Sequence, residues 1–187
     1  MEELQGLFEN LSPISEEAQE EFASYLEKLE VDKGTKLEQE GLVSNHLYYI
    51  VKGSARCFYI RDNRDITVSF SLEREFMTAM HSFITRRPSY ETIETLEKSV
   101  LLRISHENLE HCFAEFPELE RSYRKILEKY YIALEEQLIF SKFKSARDRY
   151  LDLMESKPKI IQKASVGQIA SYLDMTIETL SRVRSKI

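Results

Sequence analysis

The chain has 187 residues, 26 Lys/Arg against 32 Asp/Glu for a formal charge of −6, and 42% hydrophobic residues. That balance, with only five glycines and four prolines, suits one globular domain or a medium domain plus a small one, and excludes linker-like or low-complexity chains. The longest clean apolar run, Leu47–Val51, is too short to cross a bilayer, and the acidic Met1-Glu2-Glu3 start lacks the pattern of a signal peptide, so a cytoplasmic location and no membrane partner are expected.

The first predicted element is a short amphipathic helix running from Ser12 to Leu29. Its apolar positions Ile14, Ala18, Phe22, Leu26 and Leu29 recur every three to four residues, behind the acidic start Ser15-Glu16-Glu17. The period then changes. Glycines at 34, 41 and 53 separate β-rich runs at Leu47–Val51 and Ala55–Ile60, and Ile66–Phe70 follows the turn-like Asp62-Asn63-Arg64-Asp65. With Thr92–Leu96 and Val100–Ile104, the region from about 31 to 105 reads as a compact barrel or double-layered antiparallel structure, interrupted by a more helical Glu73–Arg87.

Helical period returns at Asn108 and strengthens after Pro117. One stripe runs through Leu119, Tyr123, Ile126, Tyr130 and Ala133, and a second through Leu127, Tyr131, Leu134 and Leu138. Together they predict a helix of roughly 25 residues with an apolar face wide enough for its own domain and a second helix, which makes Leu119, Tyr123, Ile126, Leu127, Tyr130, Leu134 and Leu138 the expected dimer contacts. Residues Ser145–Glu155 form a further amphipathic helix that Pro158 ends. The expected division is 1–114, 115–144 and 145–187.

The two cysteines, Cys57 and Cys112, lack CxxC spacing and are expected to be reduced thiols. Charge is divided unevenly along the chain: residues 142–187 carry ten Lys/Arg against five Asp/Glu, the rest sixteen against twenty-seven. A basic end on an acidic body is what a C-terminal nucleic-acid-binding piece would need.

That end has the parts of a helix-turn-helix between Val166 and Lys186. Ile169 and Leu173 face inward on the first helix, Ala170 is the small residue at the crossing, Met175 sits in the turn, and Leu180 and Val183 anchor the second helix. Asp174 stands where such turns commonly carry glycine, and Asp tolerates a left-handed backbone better than most residues. Thr176 is the expected N-cap. In a major groove, Arg182 would donate to guanine, Glu178 would accept from cytosine, and Ile177 would touch a thymine methyl, with Ser181 beside them. Lys163, Arg184 and Lys186 are placed for phosphates.

In this order of parts the chain resembles the Crp/Fnr superfamily of bacterial regulators, over nearly all of its length. The resemblance is carried by Gly34-x6-Gly41-x5-Leu47-Tyr48-Tyr49-Ile50-x2-Gly53, by Ile169-Ala170-x2-Leu173, and by Glu178-Thr179-Leu180-Ser181-Arg182. It implies an α+β fold: a jelly-roll-like double-stranded β-helix of the cyclic-nucleotide-binding type, a long dimerisation helix, and a winged-helix-like C-terminal domain. It also implies a homodimer reading an inverted repeat in double-stranded DNA, with RNA polymerase as a further partner.

The resemblance puts an effector pocket at Glu73, Phe76, Arg87, Ser89, Tyr90 and Glu91. Cyclic-nucleotide members of the family use a Gly-Glu pair for the ribose and an arginine followed by small residues for the phosphate. Here Ser89 stands at the arginine's place and Glu91 adds a carboxylate where the phosphate would sit, which disfavours cyclic AMP. Two isolated cysteines do not supply an iron-sulfur cluster, and haem is disfavoured for His46, His81, His106 and His111, so no cofactor is expected.

An enzyme of the cupin kind would need histidines at alternate strand positions around one cavity, and the four histidines show no such spacing. No Gly-rich phosphate loop or nucleophile elbow is present. The remaining alternative is a signalling module whose C-terminal helices bind protein, favoured by the segment Lys157–Lys163, which is too short for an extended wing hairpin.

Overall fold

The computed structural model describes residues 2–11 and 13–187, with the backbone alone for Glu2 and Glu3. Ser12, the start of the first predicted helix, lies outside the described residues. That helix is shorter than its periodicity suggests. α2 spans Glu16–Ser24, with Ser15 Oγ accepting from the Ala18 N–H, and Leu29 belongs instead to a strand, β1 (Glu27–Val31), where it pairs with Leu101. A helix the sequence reading omitted, α1 (Glu2–Leu11), precedes it and buries Leu7 and Leu11.

The expected β structure is present as two four-stranded antiparallel sheets. The strands after β1 are β2 (Lys36–Glu38), β3 (His46–Lys52), β4 (Ala55–Arg61), β5 (Arg64–Ser71), β6 (Phe76–Met77), β7 (Thr92–Thr95) and β8 (Ser99–Ser105). One sheet has the order β1-β8-β3-β6 and the other β2-β7-β4-β5, which leaves β5 on an edge. The β4–β5 hairpin turns at Asp62 and Asn63, both with positive φ of 51° and 59°, as a two-residue hairpin loop requires. Gly53, at φ 110°, is required twice over, because a Cβ there would also lie 2.2 Å from Ser99 Oγ. The stretch Glu73–Arg87 is helical only at α3 (Met80–Thr85), since Phe76 and Met77 pair with β3 instead.

Beyond the roll, α4 (His106–Glu115) leads into α5 (Pro117–Phe143), which starts with its proline at the first helical position. The N-terminal half of α5 packs on its own chain: Leu119 is fully buried in the cluster that holds Leu7, Phe22, Tyr49 and Leu109, and Tyr123 and Ile126 lie against that cluster. Leu119, expected as a dimer contact, is thus taken up by its own chain, whereas Tyr123 and Ile126 are only partly buried against the roll. The C-terminal half of α5 is different. Tyr131, Leu134, Leu138, Ile139 and Phe143 are all exposed.

The last segment holds α6 (Ala146–Ser156), α7 (Pro158–Lys163), α8 (Val166–Tyr172) and α9 (Ile177–Arg184). α6 stops at Ser156, just before Pro158, as expected, and Pro158 then opens α7, a short helix in the segment that was expected to be too short for a wing hairpin. Tyr150, Leu153, Ile169, Ala170, Leu173, Leu180 and Val183 form a separate small core.

Candidate nucleic-acid interface

The helix pair α8/α9 is built as its sequence demands. Ser165 and Gln168 form a capping box at α8: Ser165 Oγ accepts from the Gln168 N–H at 3.2 Å and Gln168 Oε1 from the Ser165 N–H at 2.8 Å. The turn closes through the Met175 N–H, which donates to Ala170 O at 3.0 Å. Asp174 takes the left-handed conformation at φ 50°, and its carbonyl accepts from Arg149 Nη2 of α6 at 3.2 Å. Thr176 caps α9, its Oγ1 accepting from the Thr179 N–H at 3.2 Å.

This packing divides α9 cleanly. Leu180 and Val183 are buried against α6 and α8, while Ile177, Glu178, Ser181 and Arg182 are exposed, with Ile177 at 53%. Arg182 Nη2 lies 3.4 Å from Thr179 Oγ1 and Nε the same distance from Glu178 O, long contacts that leave the guanidinium available to another acceptor. The Glu178 carboxylate is held below the usual range by its own backbone N–H and the Thr176 hydroxyl, and so is ionised and acceptor-only at neutral pH.

The predicted phosphate contacts fare unequally. Lys186 is exposed just past α9. Arg184 turns inward, its Nε donating to Tyr150 Oη at 3.0 Å, and Lys163 Nζ is engaged with Glu97 Oε2 at 2.7 Å.

Sequence reasoning missed how this unit meets the roll. Ser171 of α8 caps the open edge of β5, its hydroxyl donating to Asp65 O at 3.1 Å and accepting from the Thr67 N–H at 3.0 Å. Lys157 Nζ donates to both oxygens of Glu75 and to Phe70 O, and Lys159 pairs with Glu73 at 2.9 Å. Between them Phe70, Leu96 and Ile160 are buried, with the Tyr172 ring 5.0 Å from that of Phe70. The only signal for this in the sequence was three lysines, 157, 159 and 163, crowded around Pro158.

Inside the roll, a cavity of about 40 Å³ lies between the sheets and α5, lined among others by Cys57, Ser69, Ser71, Phe76, Met77, Thr78, Tyr123, Leu127 and Tyr130. Leu127 and Tyr130, expected at a dimer seam, therefore also wall this cavity. Of the residues expected around an effector, Phe76 lines it. Glu73 faces α7, Arg87 is exposed, Tyr90 is 52% exposed with its ring on His81, and Ser89 is turned to its own loop, where its hydroxyl accepts from the Glu91 N–H at 2.9 Å. Glu91 lies half-buried beside Cys57, and burial raises its pKa above the usual value.

Residues 28–116 match the model of the cyclic nucleotide-binding domain. The fold of the whole chain is that of Crp/Fnr-type regulators. Its solved structural neighbours include FixK2 from Bradyrhizobium japonicum (17% identity, TM-score 0.74, 86% of this chain and 83% of that one). They also include the c-di-GMP-responsive regulator CLP of Xanthomonas campestris (20%, 0.72, 92% and 91%). A Eubacterium rectale protein described under the crp/fnr family is similar at 18% identity and TM-score 0.72, over 95% of this chain and 87% of that one. No curated protein matches the chain in sequence.

The residues of the roll do not fit a cyclic nucleotide. Its cavity, about 40 Å³, is far below the roughly 300–1,000 Å³ of a typical ligand site. The one arginine in its wall, Arg56, is already committed: it donates to Glu94 at 2.7 Å, to both oxygens of Asp65 and to Thr67, and lies over the Phe58 ring. Burial alone would lower its pKa, but the two carboxylates outweigh that and raise it. With Arg56 neutralised and Glu91 beside Cys57, no uncommitted cation among the described residues lines the wall for a phosphate.

Proposed function

We propose that the protein is a DNA-binding transcription regulator of the Crp/Fnr type, a homodimer that reads an inverted-repeat operator through α9 and does not take cyclic AMP as its effector. The observation that carries this is the division of α9: Leu180 and Val183 bury, and Ile177, Glu178, Ser181 and Arg182 stand exposed together from a capped start. Arg182 and Glu178 read guanine and cytosine edges, Ile177 a thymine methyl, and Thr176, Ser181 and Lys186 contact the flanking backbone. The chain divides at 1–114, 115–144 and 145–187, with the second unit pairing two copies along the exposed half of α5. Symmetry then sets half-sites about 34 Å apart. RNA polymerase is the protein partner that such a regulator meets on the operator.

Selection of bound duplexes from a random pool tests this directly, and recovery of an inverted repeat is the expected result. Arg182→Ala should flatten the base preference at one position of each half-site, a loss of about 1–3 kcal/mol of discrimination, while Lys186→Ala should weaken all sequences alike. Recovery of no DNA would favour the second reading, a module that binds protein through its C-terminal helices. One observation supports that reading: two of the three cations expected on phosphates, Lys163 and Arg184, are held by the protein itself.

A further inference from the structure

Lys163 stands at the edge of the face that α8 and α9 present. It is the last residue of α7, two positions before the Ser165 cap of α8. The start of α8 in turn lies against the start of α9, since a Cβ on Gly167 would be 3.8 Å from Ile177 Cδ1. Yet Lys163 Nζ donates at 2.7 Å to Glu97 Oε2, on the loop between β7 and β8. The other carboxylate oxygen, Oε1, accepts from the buried Ser54 hydroxyl at 2.8 Å, so Glu97 is fixed from its own domain and aimed at the lysine.

We propose that Glu97 takes the place of a DNA phosphate on Lys163, so that the free protein masks one of its own phosphate contacts and DNA must displace Glu97 to use it. This rests on the DNA-binding reading above. A partly exposed pair of this kind is worth at most about 1 kcal/mol, weak enough for a phosphate to displace. The consequence appears in the salt dependence of binding. Each phosphate neutralised by a free lysine releases condensed cations from DNA, whereas a lysine taken from Glu97 leaves a bare carboxylate that attracts a cation back. Lys163 therefore contributes little to the salt slope of the wild type.

The test measures anisotropy of a labelled mixed-sequence duplex of three helical turns, across a potassium chloride series, for the full chain and for Glu97→Gln, Lys163→Ala and the double variant. Glu97→Gln keeps an acceptor for Ser54 and should bind roughly two- to fivefold tighter at low salt, with a slope of log K against log salt steeper by about 0.9. In the Lys163→Ala background the same substitution should change neither quantity. Unchanged affinity and slope in Glu97→Gln overturn the proposal, as does a gain that persists without Lys163, which would make Glu97 a source of general repulsion. Glu97→Ala provides a second variant, and thermal melts verify the fold of each. If none of the forms binds the duplex, the DNA-binding reading falls first, and the masking proposal with it.

Discussion

Asp174 shows how a single backbone angle is chosen for fit with its neighbours. At φ 50° its own side chain does nothing that the turn needs, because the contact to Arg149 uses the main-chain carbonyl. Asp174→Gly should therefore leave the turn intact and stabilise the protein by up to about 1 kcal/mol, and Asp174→Val should destabilise it by more, both read from urea unfolding. Glu38 poses a different problem. It is only 8% exposed, its Oε1 has no partner, and burial raises its pKa. A carboxyl whose folded-state pKa is raised favours folding below its unfolded value, and that favour is lost as pH rises through the folded value. Glu38→Gln should thus gain about 1–2 kcal/mol at pH 7 and nothing near pH 4, which thermal unfolding at the two pH values will check.

At the scale of elements, period told what α5 is but not what it touches. The stripe through Leu119, Tyr123 and Ile126 looks the same in sequence as the one through Leu134 and Leu138, and only the three-dimensional position of the roll separates them. The strands legible in the sequence were those with apolar or β-branched runs, β3, β4, β5, β7 and β8. β1 and β2 were not, because Glu27–Val31 and Lys36–Glu38 are short and mostly charged edge strands whose identity comes from pairing with β8 and β7. The helix-turn-helix was almost wholly legible, since its caps and small core are local. The expected effector positions rested on resemblance alone, and of them Phe76 lines the cavity while Glu91 lies beside the lining residue Cys57. The exposed half of α5 yields its own prediction. If two copies pair along α5 as proposed, Leu134→Asp with Leu138→Asp should leave the roll folded and give a monomer in sedimentation, because both side chains are exposed on their own chain.

Taken as a whole, the molecule joins a roll to a helical unit that is near the lower limit of independent stability. Residues 145–187 number about 40, a size at which a single core is rarely enough. The roll supplies what is missing: the apolar contact of Ile160 with Phe70 and Leu96, the Ser171 cap on the edge of β5, and the pairing of Lys157, Lys159 and Lys163 with three glutamates. Of these the apolar contact carries most of the weight, because partly exposed ion pairs contribute little, whereas truncating a fully buried isoleucine costs about 2–5 kcal/mol. The wild type should accordingly unfold in one calorimetric transition. Ile160→Ala should split it in two, with the helical unit melting first and the roll near its original temperature, and high salt should shift the wild type only slightly. A single transition lowered as a whole would mean that the two units share one core more deeply than Ile160 alone provides.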